Sequence, residues 1–293
     1  MFVHAIGFGI ITAAVMALAA VGFTVQFGVT NILNLAYGDV MTASAFVAYV
    51  SSSAGLNPWW GLVLGGLFGA VFSVLLNRFL YTPFIRRGAR LFTMIIVTIA
   101  VSLILQNSLQ AIWGPDFVSA NIAAGASVHV LGMIFTGSQL ILIAIAAVAL
   151  AALHGLLRYT RLGKAMRATA SDPELARNCG VPTRRVIDAA WLLSGLLCGL
   201  AGVALVTELG SFDFTTGSAF LVPVIAAAVL GGVGQPYGAM LGALVIGLAT
   251  ELAGTYFDPT YKDVVAFGVL IVVLLIRPQG IFAEVASQKE VAA

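Results

Sequence analysis

The stretch RLGKAMRATASDPELARNCGVPTRR, residues 161 to 185, collects polar and punctuating residues in a chain otherwise dominated by Ala, Leu, Val, Ile, Gly and Phe. Ser171 or Asp172 can cap a helix, Pro173 suits its first position, and Glu174 places negative charge at the positive end of the dipole. Gly180 is a natural stop, with Pro182 just beyond. The enclosed helix, Asp172 to Cys179, is about 12 Å long. So short a helix is marginal alone in water, so its start and stop signals point to packing. Leu175, Ala176 and Cys179, with Arg177 beside them, lie at spacings that predict one small apolar face. A basic loop that only touched anionic lipid would not need such punctuation. The segment therefore reads as a docking surface for another protein.

A second polar group is TNILNLAYGD, Thr30 to Asp39. Asn31 and Asn34 are three apart and would share a helix face. Tyr37 precedes Gly38, which reads as a break, and Asp39 as the N-cap of the helix that follows. A discontinuity at membrane depth is tolerated only where it is buried in protein or lines a cavity. Two readings stay open: a pathway-lining or subunit-contacting break, and an ordinary turn between the first two helices.

Other chemistry is missing. The sequence has no G-x-x-x-x-G-K-[ST] phosphate loop, and Gly231 to Gly238 lacks the spacing of a dinucleotide fingerprint. That run predicts a tight turn between closely packed helices. His4, His129 and His154 are scattered, no His/Cys/Asp/Glu group has metal-ligand spacing, and no Ser has a His and Asp partner set. Cys179 and Cys198 suggest neither a disulfide framework nor a CxxC site. Glu208, Glu251 and Asp188 sit near predicted helix ends, so no mid-span carboxylate of the kind an ion-coupled carrier needs is expected. The chain reads as a non-enzyme that binds no cofactor, metal or nucleic acid.

The elements that must position these groups are membrane helices. The 293 residues are 60% hydrophobic and 9% charged, against about 25% charged in a soluble domain. Mean hydropathy is +1.05. Apolar segments are predicted at 5–27, 38–54, 58–80, 91–112, 138–157, 186–207, 219–233, 237–254 and 263–277. Two of these, 38–54 and 219–233, are short enough to be broken or re-entrant. The expected fold is an all-α polytopic bundle of about eight or nine transmembrane helices. One domain, 1–285, would carry the loop 158–185, and 286–293 would form a short tail. Of the 14 Lys and Arg, all but Lys262 fall in 78–90, in 158–185 or after the last span. The positive-inside rule puts those regions in the cytoplasm and 113–137, 208–218 and 255–262 outside.

Four stretches carry a resemblance to a known family: NILNLAYGDVMTASAFVAYV (31–50), GKAMRATASDPELARNCGV (163–181), LGGVGQPYGAMLGALVIGLATE (230–251) and LLIRPQGIF (274–282). Their order and separation are similar to those of the permease subunits of branched-chain amino acid ABC importers. Tyr37 departs from the His that many members carry before Gly-Asp. The resemblance implies a bacterial inner-membrane protein whose segment Ser171, Asp172, Pro173, Glu174, Leu175, Ala176, Arg177, Cys179 and Gly180 is a coupling helix. It implies two separate ATPase subunits that hold ATP and Mg, a second, related permease, and a periplasmic substrate-binding protein. Asn31, Asn34, Tyr37, Gly38 and Asp39 are then candidates for the pathway or its helix break. Permeases for urea, short amides or another small polar solute, and a stand-alone secondary carrier or channel, are the alternatives.

Overall fold

A computed structural model of the chain describes residues 2–119, 127–130, 133–232, 234–256, 261–276 and 280. The expectations that fall on Arg277, Lys289, the Arg-Pro-Gln-Gly close and the 286–293 tail lie outside the described residues.

The chain folds as helices α1 (Phe2–Thr30), α2 (Tyr37–Ser53), α3 (Pro58–Leu75), α4 (Thr82–Arg86) and α5 (Leu91–Trp113), then α6 (Gly137–Tyr159), α7 (Arg161–Ser171) and α8 (Pro173–Asn178). They are followed by α9 (Thr183–Leu209), α10 (Thr216–Gly231), α11 (Pro236–Tyr256) and α12 (Lys262–Ile276). Short strands β1 (Val118–Ser119), β2 (Ser127–Val130), β3 (Met133–Thr136) and β4 (Ser211–Phe212) fill the links. Six helical stretches are long and apolar enough to cross a membrane; α3 and α4 form one of them through a π-helical stretch, Leu76–Tyr81. With the shorter α2, α10 and α12 they account for the nine predicted segments. Pro83 has no amide to return to the preceding turn, in step with the widened π stretch before it.

Two helices make the centre. In α1 and α9, 72% of the most apolar window is buried, against 17% in α5 and α6. Around that pair pack α11 along α1 and α3 along α9. Hydrophobic force does not drive helices together within lipid, so close backbone approach must do so. α3 carries Gly65 and Gly69, α9 carries Gly195 and Gly199, each pair four apart. A side chain at Gly69 would lie 2.4 Å from the Gly195 carbonyl, and one at Gly199 2.3 Å from that of Gly65. The predicted turn at Gly231 to Gly238 joins α10 to α11 with Gly232 and Gly234 at positive φ.

The end of the bundle opposite the basic residues is tied by aromatic and strand contacts. Phe46 near the end of α2 stacks on Trp113 at 4.6 Å and packs on Phe212 at 4.9 Å. β1 pairs antiparallel with β4. β2 and β3 form a hairpin ahead of α6.

Candidate functional site

The Thr30 to Asp39 stretch is not an ordinary turn. α1 ends at Thr30, Asn31 takes a left-handed φ of +56°, and no helix forms until Tyr37. Asn31 and Asn34 therefore share no helix face: Asn31 is exposed and Asn34 is 1% exposed. The chain doubles back into the bundle, and α2 starts halfway along its neighbours. The Tyr37 hydroxyl donates to the Ala19 carbonyl at 3.0 Å, the midst of α1. It lies 3.5 Å from the Ser194 carbonyl, the midst of α9. The Cys198 thiol donates to the Tyr37 carbonyl at 3.3 Å. Tyr37 thus pins the break and, being 1% exposed, faces no open pathway.

α10 also begins beside this point. After α9 the link Gly210 to Thr215 turns inward, and the Gly217 amide donates to Thr42 Oγ1 at 3.0 Å. Gly38 and Gly217 touch backbone to backbone: a side chain on either would meet the other's carbonyl at 2.4 or 2.2 Å. Two helix N-termini, with their positive dipole ends, thereby meet inside the bundle. The link is held by Asp213, whose carboxylate accepts from Thr216 Oγ1 at 2.7 Å, Thr215 Oγ1 at 2.8 Å and the Thr215 amide at 3.1 Å. Burial opposes ionisation there, but the hydrogen bonds from Thr216 and Thr215 outweigh it and hold the carboxyl below its ordinary range.

The side chain at 39 corrects two sequence expectations. The N-cap of α2 is Ala36, without a side-chain cap bond, and Asp39 lies in the first helical turn. It is 0% exposed, so the bundle does contain a buried carboxylate away from any helix exit. Its Oδ1 accepts from Gln106 Nε2 on α5 at 3.0 Å, while Oδ2 is buried without a partner. Leaving a buried charged acceptor unpaired costs upward of about 1–3 kcal/mol. Such a group inside a bilayer marks function before it marks stability. Nearby, Asn34 Oδ1 accepts from the Tyr81 hydroxyl at 3.1 Å, and Thr98 Oγ1 donates to the Leu33 carbonyl at 3.1 Å. Asn77 Nδ2 donates to Asp188 at 3.1 Å. Polar groups of α3–α4, α5 and α9 therefore converge on the break. Gln106, Tyr81, Asn77 and Thr98 were not legible as site residues, because only the return of the chain at 31–37 brings α2 and the break against them.

The predicted docking segment forms the compact helix α8. Asp172 is its N-cap and accepts from the Glu174 and Leu175 amides, both at 2.9 Å; Pro173 is its first residue. Gly180 has the left-handed φ of +82° expected of a stop. The predicted single apolar face is split. Ala176 is buried against the chain itself at 5% exposure, while Leu175 is 60% exposed and Cys179 is exposed. Ser171, Glu174 and Arg177 are exposed. α7 is an element the sequence reading did not foresee, although Thr160 caps it through the Gly163 amide at 3.2 Å. It buries Gly163, Met166 and Thr169 and turns Arg161, Lys164 and Arg167 outward.

At the far end Thr12 Oγ1 lies 2.9 Å from Glu208 and 3.1 Å from Glu251, and Lys262 meets Glu251 at 2.7 Å. This cluster ties α1, α9, α11 and α12 together. Among the described residues no group of three or more His, Cys, Asp or Glu is placed to hold a metal ion.

A polytopic all-α bundle with two short helices meeting inside it is the architecture of a protein that spans the membrane many times. Residues 5–274 match the family described as branched-chain amino acid transport system / permease component, and the chain belongs to it. The high-affinity branched-chain amino acid transport system permease protein LivH of Salmonella typhimurium is 33% identical, over 93% of this chain and 92% of that one. Its counterpart BraD of Pseudomonas aeruginosa is 30% identical over 93% of both. Among solved structures, PsaBC from Streptococcus pneumoniae in complex with Fab aligns with a TM-score of 0.52 at 16% identity, over 98% of this chain and 95% of that one. That likeness concerns the fold alone.

Proposed function

We propose that this chain is one permease subunit of an ABC importer for branched-chain or related hydrophobic amino acids, received from a periplasmic binding protein. The observation that carries the reading is the buried break of α2. There a carboxylate with one oxygen unpaired, Asp39, sits beside Gln106 on the sparsely packed α5. An amino acid carries an ammonium group and a carboxylate, and a buried carboxylate beside two helix N-termini offers a counterpart to each. Asn31, Asn34, Tyr37 and Gly38 form and steady the break, and Asp39, buried in this state behind Gln106 of α5, joins the path only when α5 moves aside. The family and the relatives' names support the substrate class.

The distribution of Lys and Arg supports an orientation in a bacterial inner membrane with 78–90, 158–185 and the C-terminus in the cytoplasm. Residues 1–285 then act as one domain. The segment Ser171–Gly180 is the coupling element, seated on one of two ATPase subunits that bind ATP and Mg. Its docking surface is Leu175, Glu174, Arg177 and Cys179, because Ala176 is used by the chain's own packing. A second, related permease completes the path.

The test is reconstitution in liposomes of this chain with its co-encoded permease, ATPases and binding protein. ATP-dependent uptake of labelled leucine is expected, with none from the chain alone. Uptake of urea but not leucine, or uptake by the chain alone, would refute the reading.

A further inference from the structure

We infer that the chain holds an anionic phospholipid, headgroup and one acyl chain, in a two-part cavity between α1, α6, α7 and α11. The headgroup part is a cavity of about 560 Å³ at the basic end of the bundle, bordered by Gly28, Asn31, Arg167, Gln235 and Tyr237. The acyl part is a cavity of about 530 Å³ running between α1, α6 and α11, walled by Ala14, Ala147, Ala151, His154, Tyr237 and Met240. The two parts adjoin at Tyr237, which borders both and whose ring packs on His154 at 5.3 Å, and Leu157 of the first lies one turn from His154 of the second.

Three features choose the occupant. The first is length: the apolar part runs along α6 from Ile143 to His154, about 16 Å of helix, which is half of a hydrocarbon core of about 30 Å. The groove therefore serves one leaflet. The second is the change of chemistry at the position expected of a headgroup. Above His154 the exposed residues of α6 from Ile141 to Ala152 are Ile, Ala and Val only. Below it stand Asn31, Gln235 and the Arg167 guanidinium, which also donates to the Leu157 carbonyl. The third is charge. Arg158, Arg161 and Lys164 are exposed on the last turn of α6 and on α7, and Lys and Arg near the surface attract anionic headgroups. A soluble anion would leave the apolar half empty, and a protein segment would have to enter from the lipid side. The inference does not depend on which solute the chain transports.

The cavity wall also includes Ala170 and Ser171, the last residues before α8. An occupied cavity therefore braces α7 against α1 and α11 at the root of the predicted coupling segment.

The experiment is native mass spectrometry of the assembled transporter released from nanodiscs of equal phosphatidylglycerol and phosphatidylethanolamine. The expected result is retained phosphatidylglycerol on the wild type. Arg167→Gln is expected to lower its occupancy about fivefold, the effect of one basic residue at an anionic surface. Ala151→Trp, which fills the apolar part and leaves every charge in place, is expected to abolish retention while the transporter still assembles. Phosphatidylethanolamine retained equally well, retention unchanged in Ala151→Trp, or phosphatidylglycerol lost whenever the ATPase subunits are bound would each overturn the inference.

Discussion

Helices α5 and α6 have the same length, 23 residues, and the same low burial, yet different exposed faces. The exposed side of α6 between Ile141 and Ala152 holds only Ile, Ala and Val. On α5 the exposed side mixes large apolar residues, among them Phe92, Ile96, Leu103, Ile104 and Ile112, with the polar Thr93, Asn107 and Ser108, while Ser102, Gln106 and Gln110 are half-buried. Asn107 and Ser108 donate to the Leu103 and Ile104 carbonyls of their own helix, whereas Gln106 turns to Ser102 and Asp39, so the polar residues of α5 gather on the side toward the break. We propose that the purely apolar side of α6 meets lipid and that the mixed side of α5 borders the path. That arrangement also explains how Asp39, buried behind α5, can be reached: it is latched by one hydrogen bond from Gln106 to a helix with few other contacts.

The largest effect is expected where neither helix is involved. Gly217→Val drives a side chain into the Gly38 carbonyl, a clash with backbone that exceeds the usual overpacking cost of about 1–3 kcal/mol. Folded protein recovered by size-exclusion chromatography should fall sharply. Gly155→Val on α6, where nothing lies within 4 Å of the added carbon, should leave recovery unchanged.

Next comes a matched pair. Val148→Asp, on the lipid side near the middle of α6, should cost about 2.5–3.5 kcal/mol of insertion. Asn107→Asp on α5 should cost less, because that position already carries a polar side chain and lies beside the polar residues Gln106, Ser108 and Gln110. Yield in the membrane fraction and thermal melting of the purified transporter measure both. Equal losses would erase the distinction between the two faces.

Substitution of the latch should act on transport more than on folding. Gln106→Leu removes the Gln106 hydrogen bond to Asp39, at about 1–3 kcal/mol. Leucine uptake by the reconstituted importer should fall at least tenfold, with the complex still assembled. Asp39→Asn should behave alike, and wild-type uptake by both variants would return the break to a structural role.

The smallest effect concerns acidity. Asp213 has a lowered folded pKa, so its contribution is full above the unfolded value and is lost as pH falls through the folded one. Acid below the ordinary carboxylate range should loosen the start of α10. Asp213→Asn should remove that part of the pH dependence, read as protease sensitivity of the Gly210–Thr215 link.

The nine apolar segments were legible because length and hydropathy alone define a span, and their predicted limits lie within a few residues of the helices. The Asp172 cap and the Gly180 stop were legible because both are local chemistry. Asp39 was misread as an N-cap because Gly38 was taken as the break, whereas the helix already starts at Tyr37. The chain's return into the bundle depends on Tyr37 reaching Ala19 and Ser194, contacts across 18 and 157 residues. The split face of α8 was hidden for the same reason: spacing identifies which residues share a side, not whether that side meets this chain or another.

The most direct test compares single cysteines at Asn107 and Val148 in a background of Cys179→Ser and Cys198→Ala, in the assembled importer. Labelling by a small, membrane-impermeant thiol reagent is the measurement. Cysteine at 107 should react, and bound substrate or a trapped nucleotide state should change its rate, while cysteine at 148 stays silent. Reaction at 148 with silence at 107 would contradict the assignment of α5 to the pathway and α6 to the lipid.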